Sequence, residues 1–412
     1  MSRIHCYGMT VRITFMKFQL GSPRTSSYLF RVTKYLSIVL IFYTFVFFLF
    51  PHIKPSSLTI TDSDIDFETR TSPVYNGFLP LTNAHQLCAA HDLAPYQPRT
   101  HPRKIYDLFM INNELDWLDI RLHEMSSEVD YFVILEAPHT FTGLPKNMSF
   151  QTQRSQFAAF DKKIIYHVLE DAPPPIDPTA QPGSKDYEAN AWIQEKFQRD
   201  AMFSQVFPKL SGDQRPHEGD VILVSDVDEL IRPATLQLLR NCAFPLILTL
   251  RSQFYYYSFQ FRHRGEQWRH PQATFFRGMD NTILPHSLRS RHGGAVQVDE
   301  RDSKQVADLW NAGWHCSSCF ATLREMRRKM ESFSHTNLNA EEFRRTERIV
   351  DRVGQGKDLW DRFGQWYKRI DHNQDVPQYI KENPVKYSYM INRDGEGAGF
   401  IDYEESISLD LV

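Results

Sequence analysis

The sequence predicts an α/β protein with a mainly parallel sheet flanked by helices, behind an N-terminal transmembrane helix. Four short apolar runs have the length of buried strands, and segments with helical spacing or helix-start signals separate them. The runs cover residues 105–111, 131–135, 163–169 and 221–224. Strands that alternate with helices form largely parallel sheets, whose ligands bind beyond the carboxyl ends of the strands. Residues that directly follow these runs are therefore the first candidates for a binding site.

Helical segments follow the strands along the chain. The first has apolar residues at helical spacing from Leu115 to Met125. A Pro-rich loop precedes a second helix over residues 189–203, and another helix begins near Pro233, because proline is tolerated in the first turn. Farther along lie an aromatic run at 254–257 and a basic helical stretch at 323–333. We expect one main domain over 104–345, which residues 346–412 extend.

The overall charge gives no reason to expect a nucleic-acid partner. The 412 residues carry a formal net charge of −3, so an anionic ligand must be bound by a local site. The charge is uneven, because no Asp or Glu precedes Asp62 while basic residues recur before residue 35. These basic residues are Arg3, Arg12, Lys17, Arg24, Arg31 and Lys34.

Residues 35–51 form an uncharged apolar segment, which we interpret as a membrane anchor. A membrane anchor would explain the uneven distribution of charge. The segment is short for a span, which fits a thin membrane of the early secretory pathway. A buried core helix and a cleaved signal peptide are the alternatives, although Phe50-Pro51-His52 supplies no small-residue cleavage site. Because basic residues stay on the cytosolic side, residues 1–34 form a cytosolic tail and the body is lumenal. Residues 52–103, rich in Pro, Ser, Thr and Asp, are typical of a flexible stem.

Two features agree with a lumenal body. Asn147-Met148-Ser149 is an N-glycosylation sequon. Four cysteines follow the anchor, at positions 88, 242, 316 and 319. Two disulfides, with three possible connectivities, are expected in an oxidising compartment. A redox pair or half of a zinc site is a further interpretation of Cys316-x-x-Cys319, but no second CxxC or matching His/Cys pair completes it, which favours a structural disulfide or buried thiols.

The clearest chemical motif is Asp226-Val227-Asp228, directly after the strand at 221–224. In extended chain, two carboxylates two residues apart project to the same side. Such a pair suits Mn²⁺ or Mg²⁺, which prefers carboxylates together with phosphate oxygens. Two other interpretations stay open. Asp228 would cap the next helix beside a solvated Asp226, or Asp226 would be the nucleophile and Asp228 the general acid of a haloacid-dehalogenase-type phosphatase.

A second candidate region is residues 313–320, where a Gly turn precedes an aromatic ring, an imidazole and the CxxC pair. Trp314 would stack on a sugar and His315 would bind the metal or a phosphate, and both are equally compatible with a core position. Arg199, in the second helix, offers a cation to a donor diphosphate, with a surface salt bridge as the alternative.

Several segments, in this order, resemble glycosyltransferase family 17. They are 111–124, 132–136 with 140–143, 224–229 and 313–320, and the resemblance spans about 104–340. It implies a GT-A-like nucleotide-sugar-binding fold, a UDP-GlcNAc donor, Mn²⁺ dependence, inversion at the anomeric carbon and a single-pass type II anchor in the Golgi membrane. It also implies a glycoprotein acceptor, with GlcNAc transferred to a mannose of an N-glycan core.

Side-chain chemistry suggests roles for several residues, most of them in the segments that carry the resemblance. Asp226 and Asp228 hold the metal, while Glu114, Arg121, Glu136, Arg199 and Trp314 are expected around the nucleotide-sugar. In this arrangement Glu136 faces the nucleoside and Arg121 orients Glu114 or Glu136. An inverting transfer needs a general base, for which the candidates are Glu229, Asp308, His315 and Glu325. A lumenal glycan-binding protein without catalysis is the alternative from another class.

Overall fold

The computed structural model describes residues 79–97, 101–170, 179–181, 183–332 and 334–410. The predicted tail at 1–34 and the predicted anchor at 35–51 lie outside these residues. None of the helices in the described ranges combines the length and the apolar character that a membrane crossing requires.

The described strands join in one sheet. They are β1 (Ile105–Ile111), β2 (Tyr131–Glu136), β3 (Ile164–Val168), β4 (Val221–Val224), β5 (Glu229–Ile231), β6 (Ile247–Tyr256), β7 (Ser258–His263), β8 (Gln272–Phe275), β9 (Val306–Ser317) and β10 (Tyr367–Arg369). Their order is β10-β7-β6-β8-β4-β1-β2-β3, while β9 pairs with both β6 and β5. The four predicted strands are confirmed as β1 to β4.

The helices of the described ranges lie between and after these strands. They are α1 (Leu81–Ala90), α2 (Leu115–Met125), α3 (Ser149–Gln153), α4 (Lys185–Ser204), α5 (Pro233–Asn241), α6 (Pro285–Arg289), α7 (Leu323–Ser332), α8 (Glu341–Arg344), α9 (Thr346–Gln355), α10 (Gln378–Glu382), α11 (Ser388–Ile391) and α12 (Tyr403–Asp410). Short 3₁₀ turns lie at Arg154–Phe160, Phe207–Lys209, Gly212–Gln214, Thr336–Leu338 and Glu396–Gly399.

The sheet is mixed, so the prediction of a mainly parallel sheet is right for only one half of it. Strands β3, β2, β1 and β4 run parallel to one another. Beyond β4, the pairs β4–β8, β8–β6, β6–β7 and β7–β10 are antiparallel, while β9 runs parallel to β6. The connections explain the change. Only Tyr257, at φ +65°, separates β6 from β7, whereas a parallel crossover needs a dozen residues or more.

Strand β1 lies in the interior of the sheet, between β4 and β2, and has apolar residues on both faces. Ile105 and Phe109 pack in the cluster that contains α2, whereas Tyr106 and Leu108 pack in the cluster that contains the end of α4. This alternation follows from the two-residue repeat of a strand. With a helix on each face, the carboxyl ends of β1 and β4 remain the open edge of the sheet.

The segment 79–97 packs on the body, although it falls within the predicted stem. A disulfide joins Cys88 of α1 to Cys242 at the end of α5, and both residues are buried. Pro95 forms a bridge with Cys242 as well. The other disulfide joins Cys316 to Cys319. The sequence left three connectivities open, and the structure adopts this one.

Candidate active site

One buried arginine shapes the turn that follows β4. Arg121, on α2, donates to both carboxylate oxygens of Asp107 at 2.7 and 2.6 Å. The same guanidinium donates to the carbonyl oxygens of Asp226, Val227 and Glu229. Three carbonyls held by one wholly buried cation leave the turn little freedom. Arg121 therefore fixes the backbone on which both motif carboxylates stand.

The two motif carboxylates do not lie on an extended chain. Val227 and Asp228 form a turn, and the N–H of Glu229 donates to the carbonyl of Asp226. The two carboxylates therefore do not project to one side of a strand, and this prediction is wrong. Oδ1 of Asp226 accepts from Nη1 of Arg199 at 3.0 Å, and its Oδ2 accepts from Nη2 of Arg289 at 2.6 Å. Asp226 is thus held between two guanidinium groups.

Glu229 is committed to the same ion-pair cluster. Its two oxygens accept from Nη1 and Nη2 of Arg289, each at 2.8 Å, from Nε1 of Trp268 at 2.7 Å and from the N–H of Asp226 at 2.9 Å. Burial opposes the ionisation of Glu229, but Arg289 outweighs it and lowers the pKa to about 2. Burial also opposes the ionisation of Asp226, but the charge of Arg289 outweighs burial, so the pKa of Asp226 lies well below its ordinary value. Both groups stay ionised at neutral pH.

Asp228 has a different environment. Its carboxylate accepts no hydrogen bond from the described residues, and the basic side chain within 4.0 Å of it is His315, with Nδ1 3.7 Å from Oδ1. Burial raises the pKa of Asp228 above its ordinary value, against the opposing effect of His315 and Lys329. An almost buried carboxylate without a guanidinium or ammonium in contact is electrostatically suited to receive a cation.

Lys329, on α7, brings an ammonium to the same place. Its Nζ lies 3.4 Å from Oε1 of Glu114. Burial favours the neutral amine, but the charges of Glu114, Asp228 and Asp226 outweigh this and raise the pKa of Lys329 above its ordinary value. Glu114 itself accepts from the N–H groups of Asn112 and Asn113.

These groups line a cleft of about 650 Å³. One part of the lining is charged and includes Glu114, Arg199, Asp226, Asp228, Arg289 and Lys329. Another part is an aromatic wall, which consists of Phe254, Tyr256, Trp268 and Trp360. The ring of His315 lies where the two parts meet, 5.2 Å from Phe254 and 4.8 Å from Trp268 by ring centroids, nearly parallel to both. Apolar and aromatic side chains together with a few convergent charged groups are typical of a site for a small ligand.

Similarity to known proteins identifies the family. The sequence profile of Glycosyltransferase family 17 matches residues 78–395. The chain belongs to glycosyltransferase family 17. The family predicted from the motifs is confirmed, and so is the enzyme class, a glycosyltransferase. Membership also disfavours the phosphatase interpretation of Asp226 and Asp228.

Two curated relatives of this family 17 chain are named beta-1,4-mannosyl-glycoprotein 4-beta-N-acetylglucosaminyltransferase. The protein from Rattus norvegicus is 27% identical over 251 residues, and the one from Homo sapiens is 26% identical over 251 residues. The rat match covers 54% of this chain and 41% of the relative's own length, and the human match covers 54% and 42%. The chain therefore matches less than half of either relative.

A solved structure is also similar to this family 17 chain. It is the mannosyltransferase PcManGT from Pyrobaculum calidifontis in complex with GDP-Man and Mn²⁺. The match covers 80% of this chain and 81% of the other at 9% identity, with a TM-score of 0.29. A likeness at that score supports no argument about this chain.

Five of the residues predicted for the site of this family 17 member line the cleft. They are Glu114, Arg199, Asp226, Asp228 and His315. Two further predicted residues do not line the cleft but position groups that do. Arg121 shapes the motif turn, and Glu229 holds Arg289. Arg121 pairs with Asp107, whereas the sequence analysis had it orient Glu114 or Glu136.

Four predicted residues lie outside the cleft lining. Glu136 is buried and accepts from the N–H groups of Phe150 and Gln151 at the start of α3. The ring of Trp314 packs beneath the guanidinium of Arg232, and its Nε1 donates to Asp375. Asp308 pairs with two arginines, and Glu325 accepts from Thr322 in the first turn of α7. The structure therefore gives these four residues contacts that shape the fold.

Arg289, Lys329 and Trp268 are three cleft residues of this family 17 chain that were not predicted from the sequence. Arg289 lies outside the segments singled out from the sequence, and Lys329 lies in a helical stretch noted only as basic. Neither position stands out, because each has similar cationic neighbours in the sequence. Their contacts with Asp226, Glu229 and Glu114 come from the fold.

The cleft fits a divalent cation that a substrate helps to bind. In the described part of the chain, it does not bring three His, Cys, Asp or Glu ligand atoms within 4.8 Å of one another. Mg²⁺ and Mn²⁺ are commonly held by one or two carboxylates together with substrate phosphates. Asp228, nearly buried and without a contacting guanidinium, has the chemistry of such a ligand.

Proposed function

We propose that this family 17 chain is an inverting, metal-dependent glycosyltransferase with a GT-A-like fold. It would transfer GlcNAc from UDP-GlcNAc to a mannose of an N-glycan core on a glycoprotein. One observation carries this proposal. A carboxylate without a contacting guanidinium, Asp228, shares a cleft with Arg199, Arg289 and Lys329 and with an aromatic wall. The names of the curated relatives support the choice of sugar and acceptor.

The charged side of the cleft suits a nucleoside diphosphate. Arg199, Arg289 and Lys329 line it, and Asp226 holds both guanidinium groups in place. Guanidinium groups bind phosphate oxygens through paired N–H donors, and a fixed cation needs no rearrangement as charge develops. A Mn²⁺ or Mg²⁺ ion at Asp228 would neutralise charge on the departing diphosphate. Asp226, the other predicted metal ligand, serves in this proposal to position the arginines.

The aromatic wall suits the acceptor. Flat rings pack on the apolar faces of sugars, while a few polar groups fix orientation. Trp360 belongs to this wall, and Arg362 and Gln365 of the same segment line the cleft beside it. Both side chains can donate hydrogen bonds to sugar hydroxyls. The acceptor would thus approach from the side of β10 and face the diphosphate across the cleft.

His315 is the general-base candidate that lines the cleft. Its Nδ1 lies 3.3 Å from the carbonyl oxygen of Asp228, so an Nδ1–H donated there leaves Nε2 free to accept a proton. Glu229 is paired with Arg289 and has a pKa of about 2, so it is a poor base at neutral pH. In an inverting displacement, the acceptor oxygen attacks opposite the leaving diphosphate and its proton passes to the base.

The cellular location follows from the predicted topology. We propose a single-pass type II protein of the Golgi membrane, anchored by residues 35–51, with its catalytic part in the lumen. The two disulfides, Cys88–Cys242 and Cys316–Cys319, agree with an oxidising compartment.

A panel of nucleotide-sugars tests the donor. Melting temperature and hydrolysis are measured with Mn²⁺ and UDP-GlcNAc, UDP-GalNAc, UDP-Gal or GDP-Man. The true donor stabilises the fold by mass action, so UDP-GlcNAc should raise the melting temperature most and be turned over fastest. A larger shift and faster turnover with another donor would replace UDP-GlcNAc in the proposal. No binding or turnover with any of them would favour a glycan-binding protein without catalysis.

A further inference from the structure

Two histidines and an aspartate form a cluster at the opposite end of the sheet from the cleft. His217 and Asp220 stand just before β4, and His101 lies shortly before β1. Strands β1 and β4 are parallel and both begin here, whereas the motif turn follows their other ends. The two histidines also line a separate cavity of about 750 Å³, which shares no lining residue with the cleft. The cluster is therefore distinct from the candidate active site.

The three side chains are close enough to share one ion. One nitrogen from each ring and one oxygen of Asp220 all lie within 4.8 Å of one another. The ring centroids of His101 and His217 are 4.5 Å apart, and Nδ1 of His217 is 3.8 Å from Oδ2 of Asp220. Among the described residues, no other three His, Cys, Asp or Glu side chains meet this criterion.

Asp220 gives the cluster a rigid anchor. Its wholly buried carboxylate accepts from the N–H of Lys104 at 2.9 Å and from the N–H of His217 at 2.8 Å. The turn from 217 to 220 is closed by the N–H of Asp220, which donates to the carbonyl of His217. Gly219 permits this turn with φ +89°. Since each carboxylate oxygen has two lone pairs, both oxygens retain capacity for a further ligand.

From this geometry we propose that His101, His217 and Asp220 bind a transition-metal ion of the zinc type. Two imidazoles and one carboxylate form a ligand set that Zn²⁺ and Co²⁺ favour, with water in the fourth position. Metal–ligand distances near 2.1 Å place tetrahedral ligand atoms about 3.4 Å apart. The side chain of His217 is 51% exposed, so it can rotate to close the remaining gap while Asp220 stays in place.

The ion would fasten the chain before β1 to the loop before β4. Arg103 lies in the same region, just before β1, and its buried guanidinium donates to the carbonyls of Gly219, Leu239 and Cys242. A ligand that binds only the folded chain stabilises it by mass action. The site therefore acts on stability, and its existence does not depend on the proposed transferase reaction.

The test measures zinc binding and melting temperature with the full chain after removal of metals by chelator. Zn²⁺ alone is titrated by calorimetry, and Co²⁺ reports tetrahedral geometry through its visible absorption. We expect one zinc equivalent and a higher melting temperature for the unmodified chain. His217→Ala should lose both effects, yet melt like the unmodified chain in excess chelator. His85→Ala, which removes an exposed histidine of α1, is the matched control and should keep both.

Asp228→Asn distinguishes zinc binding at this cluster from metal binding in the cleft. It should leave zinc binding at the cluster unchanged. Equal zinc binding by His217→Ala and the unmodified chain would overturn the proposal. A melting temperature of the unmodified chain that zinc does not raise would overturn it as well.

Discussion

Arg289 donates to Asp226 with only 2.6 Å between Nη2 and Oδ2, and it holds both oxygens of Glu229 as well. The first aspartate of the motif is thus neutralised by arginine, while the second, Asp228, faces the cleft without such a partner. The two residues of a short acidic motif therefore have different roles. One organises cations, and the other is available to a metal.

Replacing Arg289 should destabilise the fold. Arg289→Ala leaves the buried carboxylate of Glu229 without its counter-ion, and breaking a buried ion pair costs about 3–5 kcal/mol. The free energy of unfolding in urea, measured without donor or metal, checks this. Arg291→Ala is the control, because its pair with Asp308 is partly exposed and should contribute less than about 1 kcal/mol. Equal losses in the two variants would contradict the account.

The ionisation of Asp119 should make the free energy of unfolding depend on pH in the acidic range. Burial opposes its ionisation, but hydrogen bonds from Lys386 and Tyr387 hold its pKa below the ordinary 3.8. A lowered folded pKa contributes stability that is present above 3.8 and lost as pH falls below that value. Asp119→Asn should therefore lose stability at neutral pH and show a shallower decline in acid. The free energy of unfolding is followed from neutral pH into acid, with the exposed Asp371→Asn as control. Parallel curves for Asp119→Asn and the unmodified chain would refute this role.

Lys329 should contribute to binding of the donor diphosphate. Lys329→Met removes the ammonium from the cleft, and a charge-assisted hydrogen bond of about 1.5–3 kcal/mol corresponds to at least tenfold weaker UDP binding. Lys329→Arg should retain much of the affinity because it keeps the charge. Calorimetric titration with UDP and Mn²⁺ measures both variants. Arg324→Met, on the same helix with its side chain 79% exposed, should bind UDP normally. UDP affinity unchanged in Lys329→Met would exclude this contact.

Trp360 should affect the acceptor and not the donor. Trp360→Ala removes part of the aromatic wall, and stacking of about 0.5–1.5 kcal/mol corresponds to a KM for the acceptor glycan raised roughly two- to tenfold. Hydrolysis of the donor in the absence of acceptor should be unchanged. Trp360→Phe keeps an aromatic ring, so its KM for the acceptor should lie between those of the unmodified chain and Trp360→Ala. Ile401→Ala, at an exposed position, should leave this KM unchanged. A change in donor hydrolysis with an unchanged acceptor KM would assign Trp360 to the donor instead.

The sequence predicts the parallel half of the fold because its strands are short apolar runs. It misses the antiparallel half, since a hairpin such as β6–β7 depends on one residue, Tyr257, with positive φ. In the site, the motif position was predictable from the end of β4. The contacts of Asp226 were not, because Arg289 lies 63 residues farther along the chain.

Trp314 and His315 illustrate a second limit of sequence analysis. They are neighbours on β9, so their side chains point to opposite faces of the strand. His315 reaches the cleft, while Trp314 packs beneath Arg232. Nothing in the sequence states which face is the functional one.

Transfer of GlcNAc from UDP-GlcNAc to an N-glycan acceptor, measured with Mn²⁺ and with excess chelator, tests the central claim most directly. The comparison is between the unmodified chain and Asp228→Asn, which keeps the shape of the side chain and removes its charge. The account predicts that chelator abolishes transfer, that Mn²⁺ restores it, and that Asp228→Asn is inactive at an unchanged melting temperature. Full activity in excess chelator, or in Asp228→Asn, would contradict it.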